Sequence, residues 1–553
     1  MLIAKAKDPA FWEKVRTDDA YAPMREELFG LWEKFCVDDI PASKYSLFTI
    51  YNVTGSRREY EAVYFYRRRS LNTAALLSLI YPEEEKYFIR LLDTMWAILD
   101  EYSWVLPAHI PSFTENVVEF IDLFAAETGY ALSEMDYIFG DRLPPLIRSR
   151  IRAEIDRRII AAYTGERRYW WEKGTNNWAA VCMGSVGATF LYMHPEMVEE
   201  LLPRFEATLA CFLRGFPEDG VCLEGFGYWH YGFGFFTCFA DMLREFTNGK
   251  INYFADPKVK QIAKFAQRAF LTESCTVSFS DSGAGGRYHI GLLHYLKDEY
   301  PDAILLPPRK YSYTNDGCGR WCLHLRAFLW FDEALTDADP STTVTDYAPD
   351  AQWLIRKTPR YSFAAKGGTN AEPHNHNDLG TFIVAKDGAQ YLWDLGSGTY
   401  TKAYFSARRY EDFRACSRGH SVPIVGGRYQ SAGTERSADS SFTDGVFRVE
   451  LHRAYDLPAL TKLERAFSFS EDSVTLTDTF VLDGDEPIIE RFVTRSVPEV
   501  TPDGIKVGPL LVRAEGDSVA SFAVTHLGAK DEVSCLDFTL KPGARSFTLR
   551  VEA

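Results

Sequence analysis

The sequence predicts a multidomain α + β protein in which a helical N-terminal half precedes an antiparallel β half. Three observations carry that prediction. At 553 residues the chain is too long for one core. Up to about residue 335, apolar residues recur every three or four positions, the period of a helix with one buried face. Beyond about residue 350 the period drops to two, and turn residues cut the runs to strand length.

The helical half contains "TENVVEFIDLFAAETG", "PPLIRSRIRAEIDRRIIAAYTG", "NNWAAVCMGSVGATFLYM", "PEMVEELLPRFEATLACFLRGF" and "DPKVKQIAKFAQRAFL". Thr or Pro stands near several starts, and short polar breaks separate the runs. Successive amphipathic helices with short loops pack as helical hairpins in a bundle, a solenoid or a closed toroid. The polar stretch "LTDADPSTTVTDYAPD" is the expected linker. The division is therefore 1–335 helical, 336–350 linker and 351–553 β. Runs such as "RYSFAAK", "GTFIVAK", "GVFRVELHRAYD" and "DSVTLTDTFVL", without helices between them, predict a β-sandwich or layered antiparallel sheet.

The net charge of −16 argues against nucleic acid as a partner, while a local basic groove can still take a polyanionic sugar. No run of 18 apolar residues appears, so no membrane-spanning helix is expected. "MLIAKAKDPAFWEKV" turns charged without an apolar signal core, which predicts a cytoplasmic location unless a leader precedes it. In that setting the ten cysteines read as free thiols. Cys318 and Cys322 in "CGRWC" have helical spacing but lack further ligands for a metal. The composition carries no signal for oligomeric state. Aromatic residues, 15% of the chain, pack cores and also line sugar-binding clefts.

Three constellations carry chemistry. In "WWEKGTNNWAAV", Asn176 and Asn177 precede a helical run. Two readings are open: helix capping, which accounts for one asparagine better than two, and an amide placed to hydrogen-bond a substrate carboxylate. In "PEDGVCLEGFGYWHYGFGFF", Tyr228, His230 and Tyr231 alternate with glycines that cost helix stability. One helical turn separates the tyrosines, so both could face one cleft or the core. In "EPHNHNDLGTFIVAKDGAQYLWDLGSGTYT", His374 and His376 project on one face of a strand, and Asp394 and, later, His420 follow. Two imidazoles and a carboxylate make either a three-ligand zinc site or a set of structural side chains.

Together "HNHND", "WDLGSGTY", "YFSARRYEDFRACSRGH", "TNNW" and "EGFGYWHYG" resemble the heparinase II/III family of polysaccharide lyases over nearly the whole chain. The resemblance implies an N-terminal (α/α) toroid joined to C-terminal antiparallel sheets, with a catalytic cleft between them. It implies one structural divalent ion, zinc, on His376, Asp394 and His420. It places Asn177, Tyr228 and His374 at the cleft as catalytic residues, with Tyr404 as a second tyrosine. Asn176, Trp178, His230, Tyr231, Arg287, Arg408 and Arg409 are the substrate-contacting candidates, with Arg428 further off. Several relatives carry a histidine after the asparagine as a second base. Here that position is Trp178, so no second base is expected.

The implied activity is β-elimination on an acidic polysaccharide or oligosaccharide, with glycosaminoglycan favoured over alginate. The chemistry suits the residues. Neutralising the C6 carboxylate with an amide and an imidazole acidifies the C5 proton. A tyrosine with nearby positive charge can then take that proton and return one to O4. Two other readings stand beside it: a glycoside hydrolase using Asp219 and Glu224, and a sugar-binding protein without catalysis.

Overall fold

A computed structural model describes residues 2–110, 117–307, 316–335 and 343–553. Five helices form the inner wall of the helical half: Arg58–Ile80, Leu123–Phe139, Asn177–Met193, Gly234–Phe246 and Trp321–Leu329. Asn177–Met193 is apolar around nearly its whole circumference, the pattern of a helix packed on all sides. Outer helices bury one stripe. In Val198–Arg214, Phe205, Leu209 and Phe212 point inward at helical spacing.

The inner helices close into a ring. Tyr64 and Arg68 of the first reach Thr128 of the second at 3.3 and 3.2 Å. The second packs on the third, the third on Gly234–Phe246, that helix on Trp321–Leu329, and the last returns to Arg58–Ile80. This is an (α/α) toroid.

The β half is antiparallel throughout. Val344–Ala348, Trp353–Lys357, Ser362–Lys366, Phe382–Lys386 and Ala389–Leu392 form a five-stranded sheet in that order. Its faces divide by alternation: Ile355, Ala364 and Ile383 join the toroid core, while Leu354, Phe363, Phe382 and Val384 join the core of the β half. Burial on both faces explains why "FIVA" is continuously apolar. An eight-stranded and a four-stranded sheet complete the layers. Among the described residues no helix is long and apolar enough to cross a membrane. All ten cysteines are free.

Of the linker expected at 336–350, residues 336–342 lie outside the described residues. Val344–Ala348 is the first strand rather than linker, because its edge pairs in register with Trp353–Lys357. Asp219 ties the halves together: one carboxylate oxygen accepts the Asp350 and Ala351 N–H groups at 2.9 Å each.

Arg465, fully buried, holds the loops at the seam. It pairs with Asp478 at 2.6 Å and donates to the carbonyls of Gly380 and Ser421 at 3.0 and 2.6 Å. Those carbonyls lie close in sequence to Asp378 and next to His420. Removing one partner of a buried pair strands the other charge. Arg465→Met should therefore lower the unfolding free energy by about 3–5 kcal/mol in chemical denaturation.

Candidate active site

The toroid contributes the start of the helix Asn177–Met193, the turn around residues 224–233 and the loop at 278–286. The β half contributes the loops at 370–381 and 394–423. Asn176 is the helix cap, its Oδ1 accepting the Trp178 N–H at 3.2 Å. That is a backbone role, and it replaces the substrate contact expected for Asn176. Asn177 is freed from capping. Its side chain is buried, and its Oδ1 has no partner among the described residues. Its N–H donates to Glu224 at 3.0 Å, which fixes the amide at the helix N-terminus. Gly232 permits this approach, because a Cβ there would lie 3.1 Å from Asn177 Cα and Cβ.

Tyr228 stacks on His374 with ring centres 4.2 Å apart, and its hydroxyl meets that of Tyr400 at 2.7 Å. His374 sits between two carboxylates, Nδ1 2.9 Å from Asp281 and Nε2 3.4 Å from Glu224. Its backbone is left-handed (φ 58°), which turns the ring out of strand geometry and into the seam. Burial raises the Tyr228 pKa, and the Asp281 and Glu224 charges add to that. The Tyr400 hydrogen bond and the Arg57 charge act the other way. Positive charge does not dominate at Tyr228, contrary to the sequence expectation. The resting group is a neutral phenol.

Asp281 binds the two halves at this point. It accepts from His374, from His376 at 3.1 Å, from Arg409 at 2.9 Å and from the Tyr404 hydroxyl. Despite burial, these partners hold its carboxyl far below the usual carboxylate range. Burial also raises the Glu224 pKa.

His376, Asp378, Asp394 and His420 form a fully buried group whose ligand atoms all lie within 4.8 Å of one another. The tautomers fit a cation. His420 Nε2 donates to the Arg414 carbonyl at 2.8 Å, which leaves Nδ1 facing Asp394 at 3.1 Å. His376 turns Nε2 to Asp281, and its buried Nδ1 has no partner among the described residues. Asp378 pairs one oxygen with Lys366 at 2.9 Å, and its other oxygen is also unpartnered. Two imidazole nitrogens and two carboxylates around one point make a ligand set for a divalent ion. Asp378 extends the three residues named from the sequence.

Other expected residues go elsewhere. A wide turn at Trp229–Phe233 breaks the helical register, so Tyr231 donates to Glu127 under the Arg320 guanidinium instead of sharing the Tyr228 cleft. His230 is buried beside His289, and burial lowers its pKa to about 4. His230, Tyr231 and Arg287 line a cavity of about 270 Å³. Arg408 is exposed and paired with Glu411 at 2.8 Å, away from the seam. Arg428 is exposed as well. Arg409 is at the site, but as a brace between Asp281 and the His374 carbonyl. Tyr404 is 3% exposed and bound to Asp281, so the second tyrosine beside Tyr228 is Tyr400, four residues earlier. Asp281 and Tyr400 were missed. A lone Asp in "FSDSG" has no sequence signal, whereas Tyr400 stands in "GSGTYTKAY" four residues before Tyr404. Asp219 is consumed by backbone N–H groups, which leaves the hydrolase reading without its second carboxylate.

No family model and no curated protein matches the sequence. Solved structures do match in fold. Heparinase III aligns at TM-score 0.61 and 12% identity over 98% of this chain and 93% of that one. The heparan sulfate lyase HepC from Pedobacter heparinus aligns at 0.58 and 12% over 99% and 86%. The Streptomyces coelicolor chondroitin AC lyase, solved with chondroitin sulphate, aligns at 0.51 and 9% over 98% and 82%. The chain therefore has the toroid-plus-sheet fold of these lyases.

Protein purified without added metal should carry about one divalent ion per chain by elemental analysis, with His376→Ala losing the ion and melting earlier. Metal-free protein of unchanged stability would refute the assignment.

Proposed function

We propose that the protein is a polysaccharide lyase that cleaves uronic-acid-containing chains by β-elimination. The observation that carries this reading is the meeting of the Asn177 amide, the Tyr228 hydroxyl and the His374 imidazole at the seam between toroid and sheet. The Asn177 side-chain amide and His374 take the C6 carboxylate, so charge left by C5 deprotonation spreads into it as an enolate. Tyr228, as phenolate, removes the C5 proton. The electron pair then forms the C4–C5 double bond, the C4–O4 bond breaks, and the phenol proton passes to O4. Tyr400 positions Tyr228 and donates to its phenolate.

Glycosaminoglycan is the favoured substrate, supported by the heparan sulfate and chondroitin lyases that share the fold. Oligoalginate is the alternative by the same chemistry. The His376, Asp378, Asp394 and His420 set would hold zinc through two imidazole nitrogens and two carboxylates. Such an ion would hold the loops that carry Tyr400 and Arg409 against the toroid.

Turnover should yield an ultraviolet-absorbing unsaturated uronate. A panel of heparan sulfate, hyaluronan, chondroitin and alginate read by absorbance tests this, and binding without any such product would refute catalysis. Tyr228→Phe should nearly abolish elimination while keeping the melting temperature close to wild type. Asn177→Ala should cut kcat by roughly a hundredfold or more, as for loss of one oxyanion-type donor, whereas Asn176→Ala should act through stability.

The pH dependence follows from the raised Tyr228 pKa. Below that pKa the phenolate fraction grows about tenfold per pH unit, so kcat/KM should climb from pH 7 to 9. Tyr400→Phe removes a hydrogen bond that lowers the Tyr228 pKa. It should slow the reaction at pH 7 by about tenfold and move the rising limb to higher pH. A flat profile in both proteins would exclude Tyr228 as the base.

A further inference from the structure

Arg57 and His109 form a built polar pair on the toroid rim, and neither exchanges a proton in the elimination step. His109 Nδ1 lies 2.7 Å from Asp122, a buried carboxylate that also accepts the Leu106 and Ala125 N–H groups. That fixes the tautomer, and Nε2 accepts from Arg57 Nη2 at 3.3 Å. Arg57 Nε binds Glu61 at 2.6 Å. Its Nη1 is left without a protein partner among the described residues. The guanidinium is thus held on one side by Glu61 and on the other by an imidazole that Asp122 fixes.

Its surroundings place it beside the cleft. The Trp178 ring, next in sequence to Asn177, packs 4.9 Å from His109 on one side and 4.9 Å from Trp170 on the other. Trp170 is 55% exposed, so the two indoles make an open apolar shelf. The Arg57 charge reaches the Tyr228 hydroxyl and lowers its pKa. Two residues before Arg57, Gly55 (φ 75°) lies against the β half: a Cβ there would be 3.5 Å from Lys402 Cβ. Lys402, two residues after Tyr400, is exposed. Arg57 therefore stands near Tyr228 on the toroid side, and Lys402 follows Tyr400 by two residues on the β side, in a chain of net charge −16.

We propose that Arg57, with Lys402 and the Trp170–Trp178 shelf, binds the oxyanion of the sugar next to the one that loses its C5 proton. The proposal rests on the lyase reading for what lies beside it. A fixed guanidinium suits a planar carboxylate or a sulfate through paired N–H donors, and an indole face suits the apolar face of a pyranose. The carboxylate would come from a neighbouring uronate, the sulfate from a neighbouring sulfated hexosamine. In either case the subsite selects for charge on the adjoining unit.

The test uses Arg57→Gln and Lys402→Gln on three oligosaccharides: a polyuronate, a sulfated alternating copolymer and its unsulfated counterpart. Wild type should prefer one of the two charged neighbours over the uncharged one. Arg57→Gln should lower that preference in KM by tenfold or more, with a smaller change in kcat, and Lys402→Gln should lower it in the same direction. Loss for the polyuronate identifies the carboxylate, and loss for the sulfated copolymer identifies the sulfate. An unchanged preference, or an equal loss on all three, overturns the subsite. Melting temperatures separate a folding defect, and Lys402→Gln, at an exposed position, keeps the test open if Arg57→Gln fails to fold. Should wild type make no unsaturated product, calorimetric binding of the same three ligands applies the same criterion, so failure of the lyase reading is told apart from failure of the subsite.

Discussion

A buried carboxylate, Asp281, joins the two halves of this protein at the seam beside Tyr228 and Asn177. It comes from a toroid loop, and its partners His374, His376, Arg409 and Tyr404 all come from the β half. A lone charge in that position would be strongly destabilising, and it persists because all its partners donate to it. Removing any one of them leaves the carboxylate short of compensation.

The same contact links Tyr228 and His374 to the buried group of His376, Asp378, Asp394 and His420 through a short piece of chain. His374 and His376 both lean on Asp281, and His376 thereby turns its other nitrogen towards Asp378, Asp394 and His420. Lys366 and Arg465 anchor this region from the sheet side through Asp378 and the carbonyls of Gly380 and Ser421. These loops have little regular secondary structure of their own. Charge pairing does for them what a hydrogen-bonded ladder does for the strands beneath.

Electrostatics at the seam also shape the reactive group. Tyr228 lies near Glu224 and Asp281, which oppose its ionisation, and near Tyr400 and Arg57, which favour it. A substrate carboxylate bound by Asn177 and His374 would enter a site already rich in acidic groups. A fixed cation at the rim offsets that repulsion, and the buried Asp122 that holds His109 keeps the cation in place.

The division into helical and β halves was legible in the sequence because it follows from local periodicity. The stretches holding Asn177, Tyr228, His374 and the His376, Asp394 and His420 group could be singled out there as well, since their motifs are compact and stand in a characteristic order. Other features were settled only by tertiary structure. Tyr231 turns away because a wide turn breaks helical spacing, and Tyr400 displaces Tyr404 because Asp281 captures the latter's hydroxyl. Asp281, Arg57 and His109 carry no local signal. Each acquires its role from partners distant in sequence: Asp281 from side chains 93 to 128 residues away, and Arg57 from an imidazole 52 residues away. Periodicity reports which face of an element is buried, but the partner of a buried charge is chosen by the packing of the whole chain.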